Sequence, residues 1–204
     1  MTSAAPSRRA LLLLVGLLFL LPLGFAFLLY YASGWRPSGH TNHGTLIAPA
    51  RPLPPVALPQ IIATGTAVAA QAAISAPTVL QGRWSLLYIG GGECDAACRE
   101  ALYFMRQTYL GLGNQTTRLQ RVFLITGHCC DADYLAREQP GLIALRADGP
   151  QAAALLAQFP DAGRASSIFI VDPLGNLMMR YDTHDQPRGL HDDLKKLLGL
   201  SHIG

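Results

Sequence analysis

Trp84-Ser85-Leu86-Leu87-Tyr88-Ile89-Gly90-Gly91-Gly92-Glu93-Cys94-Asp95-Ala96-Ala97-Cys98 decides the fold. Its first six residues are a short apolar run with Gly82 before it and three glycines after it, which reads as a buried strand ending in a loop. Beyond the cysteines, Ala97 to Tyr109 places Ala101, Leu102, Met105 and Tyr109 on one face at helical spacing, and Gly111 and Gly113 stop the helix. Arg121 to Thr126 then forms a second buried strand, and Gly127 ends it just ahead of His128, Cys129 and Cys130. A right-handed crossover through a helix makes two such strands parallel, so they end at the same edge of the sheet. Cys94, Cys98, His128, Cys129 and Cys130 are therefore expected on one rim, where open α/β sheets place their ligands. No Walker or Rossmann spacing follows Gly90-Gly91-Gly92, so the glycines serve close backbone approach to the cysteines and not a phosphate.

Further along, Leu142 to Leu145 is a shorter strand candidate, and Pro150 opens an alanine-rich helix to Phe159. Ile168 to Val171 leads into a turn at Asp172-Pro173-Leu174-Gly175, Leu177 to Tyr181 returns from it, and Leu190 to Leu200 is a closing helix. The order predicts an α/β domain, assigned to residues 63–204. Upstream, Ala63 to Pro77 is rich in small residues and is either an edge strand or a loop. Residues 32–62 carry Pro37, Pro49, Pro52, Pro54, Pro55 and Pro59 with no helical or strand period, which predicts an extended Pro-rich tether.

From Ala10 to Ala32 no residue is charged, and Leu11 to Tyr31 at about 1.5 Å per residue covers roughly 30 Å of bilayer hydrocarbon. A single transmembrane helix over 11–31 is expected. Arg8 and Arg9 precede it and Tyr30, Tyr31 and Trp35 close it, so the positive-inside bias puts residues 1–10 in the cytoplasm and the rest in the periplasm of a bacterial inner-membrane protein. The rival is a cleaved signal peptide with small residues at Ala26 and Ala32, but the apolar run exceeds the usual signal length. Ser7-Arg8-Arg9 resembles a twin-arginine signal only faintly, since paired arginines commonly set topology ahead of an anchor.

The chain of 204 residues is 50% hydrophobic and 14% charged, which points to a membrane and to one domain beyond the apolar start. With a net charge of +3 and scattered arginines there is no basic run interleaved with aromatics, which speaks against nucleic-acid binding. Four clustered cysteines are too few for the disulfide framework of a small secreted domain. Cys94 and Cys98 at a first helical turn share a face at i and i+4, with Cα atoms about 6 Å apart, so they can form a disulfide or chelate one soft ion. The helix N-terminus favours the thiolate, making Cys94 the expected exposed nucleophile, and a thiolate pair selects Cu(I). The alternative is a static disulfide or a pair of core residues.

These residues resemble the Sco/SenC family of thioredoxin-like proteins involved in copper delivery to, or thiol control of, cytochrome c oxidase. The resemblance spans roughly Leu80 to Leu200 and rests on Gly82 to Tyr88 leading to Cys94 and Cys98, Val122 to Thr126, Gln139 to Leu145, and Ile168 to Gly175. It implies a thioredoxin-like domain behind a single N-terminal transmembrane helix, Cys94 and Cys98 as catalytic and metal-binding residues, Cu(I) as the metal, and a haem-copper oxidase subunit or another assembly factor as partner. Two departures stand out. The family's Cys-Pro-x-x-Cys-Pro has Asp95 and Arg99 in place of its prolines, and its metal-binding histidine is replaced by the segment Gly163-Arg164-Ala165-Ser166-Ser167. Only Cys94 and Cys98 carry over from the two-cysteine, one-histidine copper site.

Cys129 and Cys130 are either resolving thiols or auxiliary Cu(I) ligands with His128, or incidental. His184 and His191 flank the start of the last helix and read as solvent-facing, with replacement ligation the alternative. His40 and His43 lie in the expected tether, and Met178-Met179 reads as hairpin packing. The expected role is oxidase assembly by Cu(I) transfer or thiol reduction. Its rivals are a general thiol-disulfide oxidoreductase, in which Cys94 attacks and Cys98 resolves, and a non-catalytic scaffold with a fixed disulfide.

Overall fold

The structure, a computed structural model, describes residues 7–32, 41–64, 67–184 and 187–204 and divides into an N-terminal unit, residues 1–41, and a compact unit, residues 42–204. In the first, α1 (Arg8–Ala32) is 25 residues of almost unbroken leucine, phenylalanine and small residues, with Pro22 inside it. It is long and apolar enough to cross a membrane once. Trp35 and His40 lie outside the described residues.

The second unit is built on one mixed sheet. In chain order it contains β1 (Thr45–Pro52), β2 (Pro59–Thr64), β3 (Ala67–Ile74), β4 (Trp84–Gly91), α2 (Ala96–Gly111), β5 (Leu119–Thr126), α3 (Ala132–Glu138), β6 (Ile143–Arg146), α4 (Pro150–Leu156), β7 (Ser167–Val171), β8 (Asn176–Asp182) and α5 (Pro187–Leu200). The strands lie in the order β1-β8-β7-β4-β5-β6-β2-β3. At the centre β4 and β5 run parallel through eight aligned pairs, from Trp84 opposite Leu119 to Gly91 opposite Thr126, as the crossover through α2 requires. The β7–β8 hairpin turns at Asp172–Gly175, where the Asp172 carboxylate accepts from the amides of Leu174 and Asn176 at 2.9 and 2.8 Å and Gly175 takes φ 87°.

Apolar residues fill both faces of the central strands because helices cover both. Trp84, Leu86 and Tyr88 of β4 pack with Ala101, Leu102 and Met105 of α2 and with Leu190, Leu194 and Leu198 of α5. Alternate residues Leu87 and Ile89 turn to the other face, against Ala152 and Leu155 of α4, Phe159, Leu53 and Leu58. Each of these large side chains contributes about 1.5–3 kcal/mol by leaving water.

The expected tether over 32–62 needs correction over 42–62, while residues 33–40 lie outside the described residues. From Asn42 onward the chain belongs to the compact unit. β1 pairs antiparallel with β8, from Thr45 opposite Arg180 to Pro52 opposite Asn176, and β2 pairs with both β3 and β6. Prolines mask this because β1 is an edge strand: only one side of its backbone must pair, so Pro49 and Pro52 are tolerated, and the register shifts between Leu46 and Arg51. Its residues are mostly exposed, so no alternation is written into them. Of the two readings for Ala63 to Pro77 the strand holds, as β3 closes the opposite edge of the sheet.

Candidate functional site

The loop after β4 turns sharply to meet α2. Cys94 N–H donates to Gly91 O at 3.2 Å, and Cys94 adopts φ 46°, a left-handed conformation that is uncommon outside glycine. Asp95 then caps the helix, its carboxylate accepting from Cys98 N–H at 3.0 Å. Aspartate thus starts the helix where the resembled family has proline. Cys94 and Cys98 form a disulfide with Cα atoms 5.0 Å apart. Two details differ from expectation. Cys94 lies before the cap and not in the first helical turn, and it is not the exposed member: the two residues are only 3% and 1% accessible. The left-handed turn takes Cys94 off the helical path, and both cysteines join the core cluster beneath α2 with Leu102, Met105 and Phe123.

The loop after β5 meets the first one, as the parallel pairing implies. Gly127 (φ 77°) ends the strand, His128 and Cys129 are exposed, and Cys130 is half-buried against the same core cluster. Cys129 and Cys130 are neighbours whose sulfurs lie against each other, within reach of a bond. Asp131 N–H donates to Gly92 O at 3.1 Å. A Cβ on Gly92 would overlap the His128 carbonyl oxygen and stand 2.8 Å from Cys129 Cα, so only glycine allows this approach.

One side chain ties both loops together. The Arg99 guanidinium donates through Nε to Cys94 O at 3.0 Å and through Nη2 to the Asp131 carboxylate at 2.8 Å, and it lies 4.5 Å from the centroid of the Tyr134 ring. The other Asp131 oxygen caps α3 by accepting from Tyr134 N–H at 3.0 Å. In the sequence Arg99 stands out only as a replaced proline, and Asp131 only as a single charge beside the second cysteine pair. Nearby, the Arg146 guanidinium, with a smaller contribution from His128, holds the Asp148 carboxyl below the usual carboxylate range.

The segment 163–167, where the resembled family carries its histidine, holds a short 3-10 turn, Arg164–Ser166. Tyr88 Oη donates to Ala165 O at 2.7 Å, joining this segment to the cysteine strand. Burial, with the Asp95 charge adding to it, pushes the Tyr88 phenol up to about 12. The other candidate histidines among the described residues lie at different places in the fold. His191 Nε2 is 3.4 Å from Gly111 O at the far end of α2, about 20 Å along the helix from the cysteines. His184 is exposed just past the end of β8, which runs two strands from β4 with Tyr181 level with Ile168 and Tyr88, so it stands at the same edge of the sheet as the cysteines without joining them in a ligand group. His43 is not in a tether, since its amide donates to the Asp193 carboxylate of α5 at 2.7 Å. Met179 is buried and Met178 packs against the same core, in keeping with hairpin packing. Among the described residues no three His, Cys, Asp or Glu side chains converge to hold a metal ion. The chemistry on offer is that of sulfur pairs.

Residues 84–201 match the family described as the transmembrane-like, thioredoxin-like, C-terminal domain. No curated protein matches the sequence. Among solved structures, apo Sco1 from Thermus thermophilus superposes with a TM-score of 0.57 at 20% identity, covering 79% of this chain and 99% of that one. Yeast Sco1 with copper bound gives 0.58 at 14% identity, covering 80% and 96%. A DsbF homologue from Corynebacterium diphtheriae gives 0.52 at 13%, covering 81% and 96%. At these identities the likeness is one of fold, and it places the Sco-like topology expected from Cys94, Cys98 and their flanking strands on the whole compact unit. With more than half its length matched, the chain belongs to the transmembrane-like, thioredoxin-like C-terminal domain family, and its α/β domain has the fold of the Sco proteins.

Proposed function

We propose that this chain is a single-pass protein of the bacterial inner membrane whose periplasmic domain reduces disulfides in a client protein during assembly of a haem-copper oxidase. The observation that carries it is the Cys94–Cys98 disulfide at the carboxyl end of β4, bridging the capped start of α2. In the dithiol form, the Cys94 thiolate attacks a client disulfide and releases one client thiolate. Cys98 then attacks the mixed disulfide, so the client gains two electrons and two protons and Cys94–Cys98 closes.

A second reading, Cu(I) transfer, is favoured by the likeness to yeast Sco1 with copper bound. Two thiolates suffice for a linear Cu(I) site, and copper here is cargo. With no third ligand converging among the described residues, Cu(II), which prefers nitrogen-rich tetragonal surroundings, should be held poorly.

Both readings are tested on the full chain in detergent. Equilibration in thiol buffers followed by differential alkylation should show a reversible two-electron Cys94–Cys98 couple above about −300 mV; a lower potential assigns a static disulfide and a scaffold role. Competition against a Cu(I) chelator should show about one Cu(I) bound by the reduced chain and lost in Cys94→Ser/Cys98→Ser. Equal, poor competition by both removes copper transfer and leaves thiol reduction.

A further inference from the structure

We propose that Cys129–Cys130 is a second redox centre that exchanges electrons with Cys94–Cys98, so that a partner's dithiol reduces the closed, buried bridge through the exposed pair, the opened Cys94 then meeting its client directly. This rests on the redox reading of Cys94–Cys98 and adds the route by which that pair is reduced. The two pairs differ in access. Cys94 and Cys98 are 3% and 1% accessible, whereas Cys129 is exposed and Cys130 is half-buried against the core cluster that contains both inner cysteines. A partner's thiol therefore meets Cys129 in the folded domain before it meets the inner bridge.

The loops carrying the pairs are fastened to each other. Asp131 N–H bonds to Gly92 O, Gly92 admits the His128–Cys129 backbone at a distance no side chain would allow, and one guanidinium, Arg99, links Cys94 O to the carboxylate next to Cys130. Neighbouring cysteines also suit a relay on chemical grounds. Both sulfurs of the outer pair lie on one short loop, so the inward Cys130 can attack while Cys129 stays beside it to resolve.

The exchange balances without an added reagent once the outer pair is reduced. A dithiol of a partner protein reduces Cys129–Cys130, giving two electrons and two protons and becoming a disulfide itself. The Cys130 thiolate attacks the Cys94 sulfur of the inner bridge, forming a Cys94–Cys130 bond and releasing the Cys98 thiolate. Cys129 then attacks Cys130, so that Cys129–Cys130 closes and Cys94 and Cys98 are left as the dithiol.

Two experiments on the full chain in detergent test this. In Cys98→Ser/Cys129→Ser only Cys94 and Cys130 remain, and oxidation with diamide should yield a Cys94–Cys130 peptide by mass spectrometry in the monomeric chain. Free thiols, or bridges only between chains, would overturn the relay. In the second, reduced thioredoxin is the probe and differential alkylation follows opening of Cys94–Cys98 with time. Cys129→Ser/Cys130→Ser, with folding checked by near-ultraviolet circular dichroism, should slow that opening by about tenfold relative to wild type, while in denaturant the two rates agree. Equal rates in the folded proteins sink the relay and leave the redox function standing. Failure of Cys94–Cys98 to open in the folded wild type, with dithiothreitol as well as thioredoxin, removes the redox function and the relay together.

Discussion

Arg99 and Tyr88 each tie the cysteine rim to a neighbouring segment, Arg99 to the loop after β5 and Tyr88 to residues 163–167. The Arg99 ion pair with Asp131 is half-exposed, at 48% and 34% side-chain accessibility, so its net stabilisation is about 1 kcal/mol or less. Arg99→Ala should therefore lower the denaturation midpoint little while raising amide exchange at Cys94–Cys98 and at 128–131. Arg99→Lys should not restore protection, because an ammonium cannot reach Cys94 O and Asp131 at once as the planar fork does. Unchanged exchange in both variants would deny Arg99 its bridging role. Tyr88 gives a pH signature. Its folded value, about 12, lies above the ordinary 10.0, so the neutral phenol's contribution is complete below about pH 10 and is lost as pH rises through 12. Burial and Asp193 push the Tyr181 phenol up as well, so the comparison must be with Tyr88→Phe. That variant should lose about 1 kcal/mol at neutral pH with the Ala165 carbonyl left unpaired, and its stability should fall less steeply above pH 10 than that of wild type. Parallel alkaline profiles would refute this assignment. At this scale the cysteines were legible by type and spacing, but Asp95 and Arg99 were legible only as missing prolines, since capping and bridging depend on partners that folding brings close.

Strands and helices with a periodic or continuous apolar pattern were legible almost to their ends. β4, α2, β5 and the β7–β8 hairpin all lie where Trp84–Ile89, Ala97–Tyr109, Arg121–Thr126 and Ile168–Tyr181 place them. β1 was not, because an exposed edge strand containing prolines carries neither signal. α3 is only seven residues long, too short for a face to show. What holds β1 in place is a buried carboxylate far along the chain. Asp193 of α5 accepts on one oxygen from the amides of His43 and Gly44, at 2.7 and 3.1 Å, and from the Tyr181 hydroxyl. Asp193→Ala would strand these donors, and since each orphaned buried group costs about 1–3 kcal/mol, the domain should lose several kcal/mol. Asp193→Asn keeps an acceptor oxygen and should lose less. Limited proteolysis should then cut the alanine variant within residues 42–52 while the wild type resists there; equal resistance would show that pairing with β8 alone secures the edge. The same contacts explain why the tether reading failed from Asn42 on: residues 43–52 are held by α5 and β8, and their own composition says nothing of either.

For the molecule as a whole, the low charged fraction of 14% reflects two different environments, a lipid-suited helix and a domain whose sheet is covered on both faces. The apolar run was legible because crossing a bilayer demands length and uninterrupted hydrophobicity, which are properties of sequence alone. The proposed orientation rests on charge: Arg8 and Arg9 lie immediately before the apolar stretch, and no acidic or basic residue follows inside it. The compact unit should accordingly stand outside the cytoplasm, in the compartment where a Cys94–Cys98 disulfide persists. Fusions after Gly204 test this, with one structural precaution. Arg118 donates to the carbonyls of Leu198, Ser201, Ile203 and Gly204, so the tail is docked on the domain, and a flexible linker is needed to keep these acceptors in place. Alkaline phosphatase, which needs its own disulfides, should be active at this position, while a green fluorescent protein exported unfolded should be dark. Arg8→Glu/Arg9→Glu should shift a fraction of molecules to the opposite orientation, raising fluorescence as phosphatase activity falls. A fluorescent, phosphatase-inactive wild type would place the cysteines in a reducing compartment and overturn both the topology and the oxidised resting state of the site.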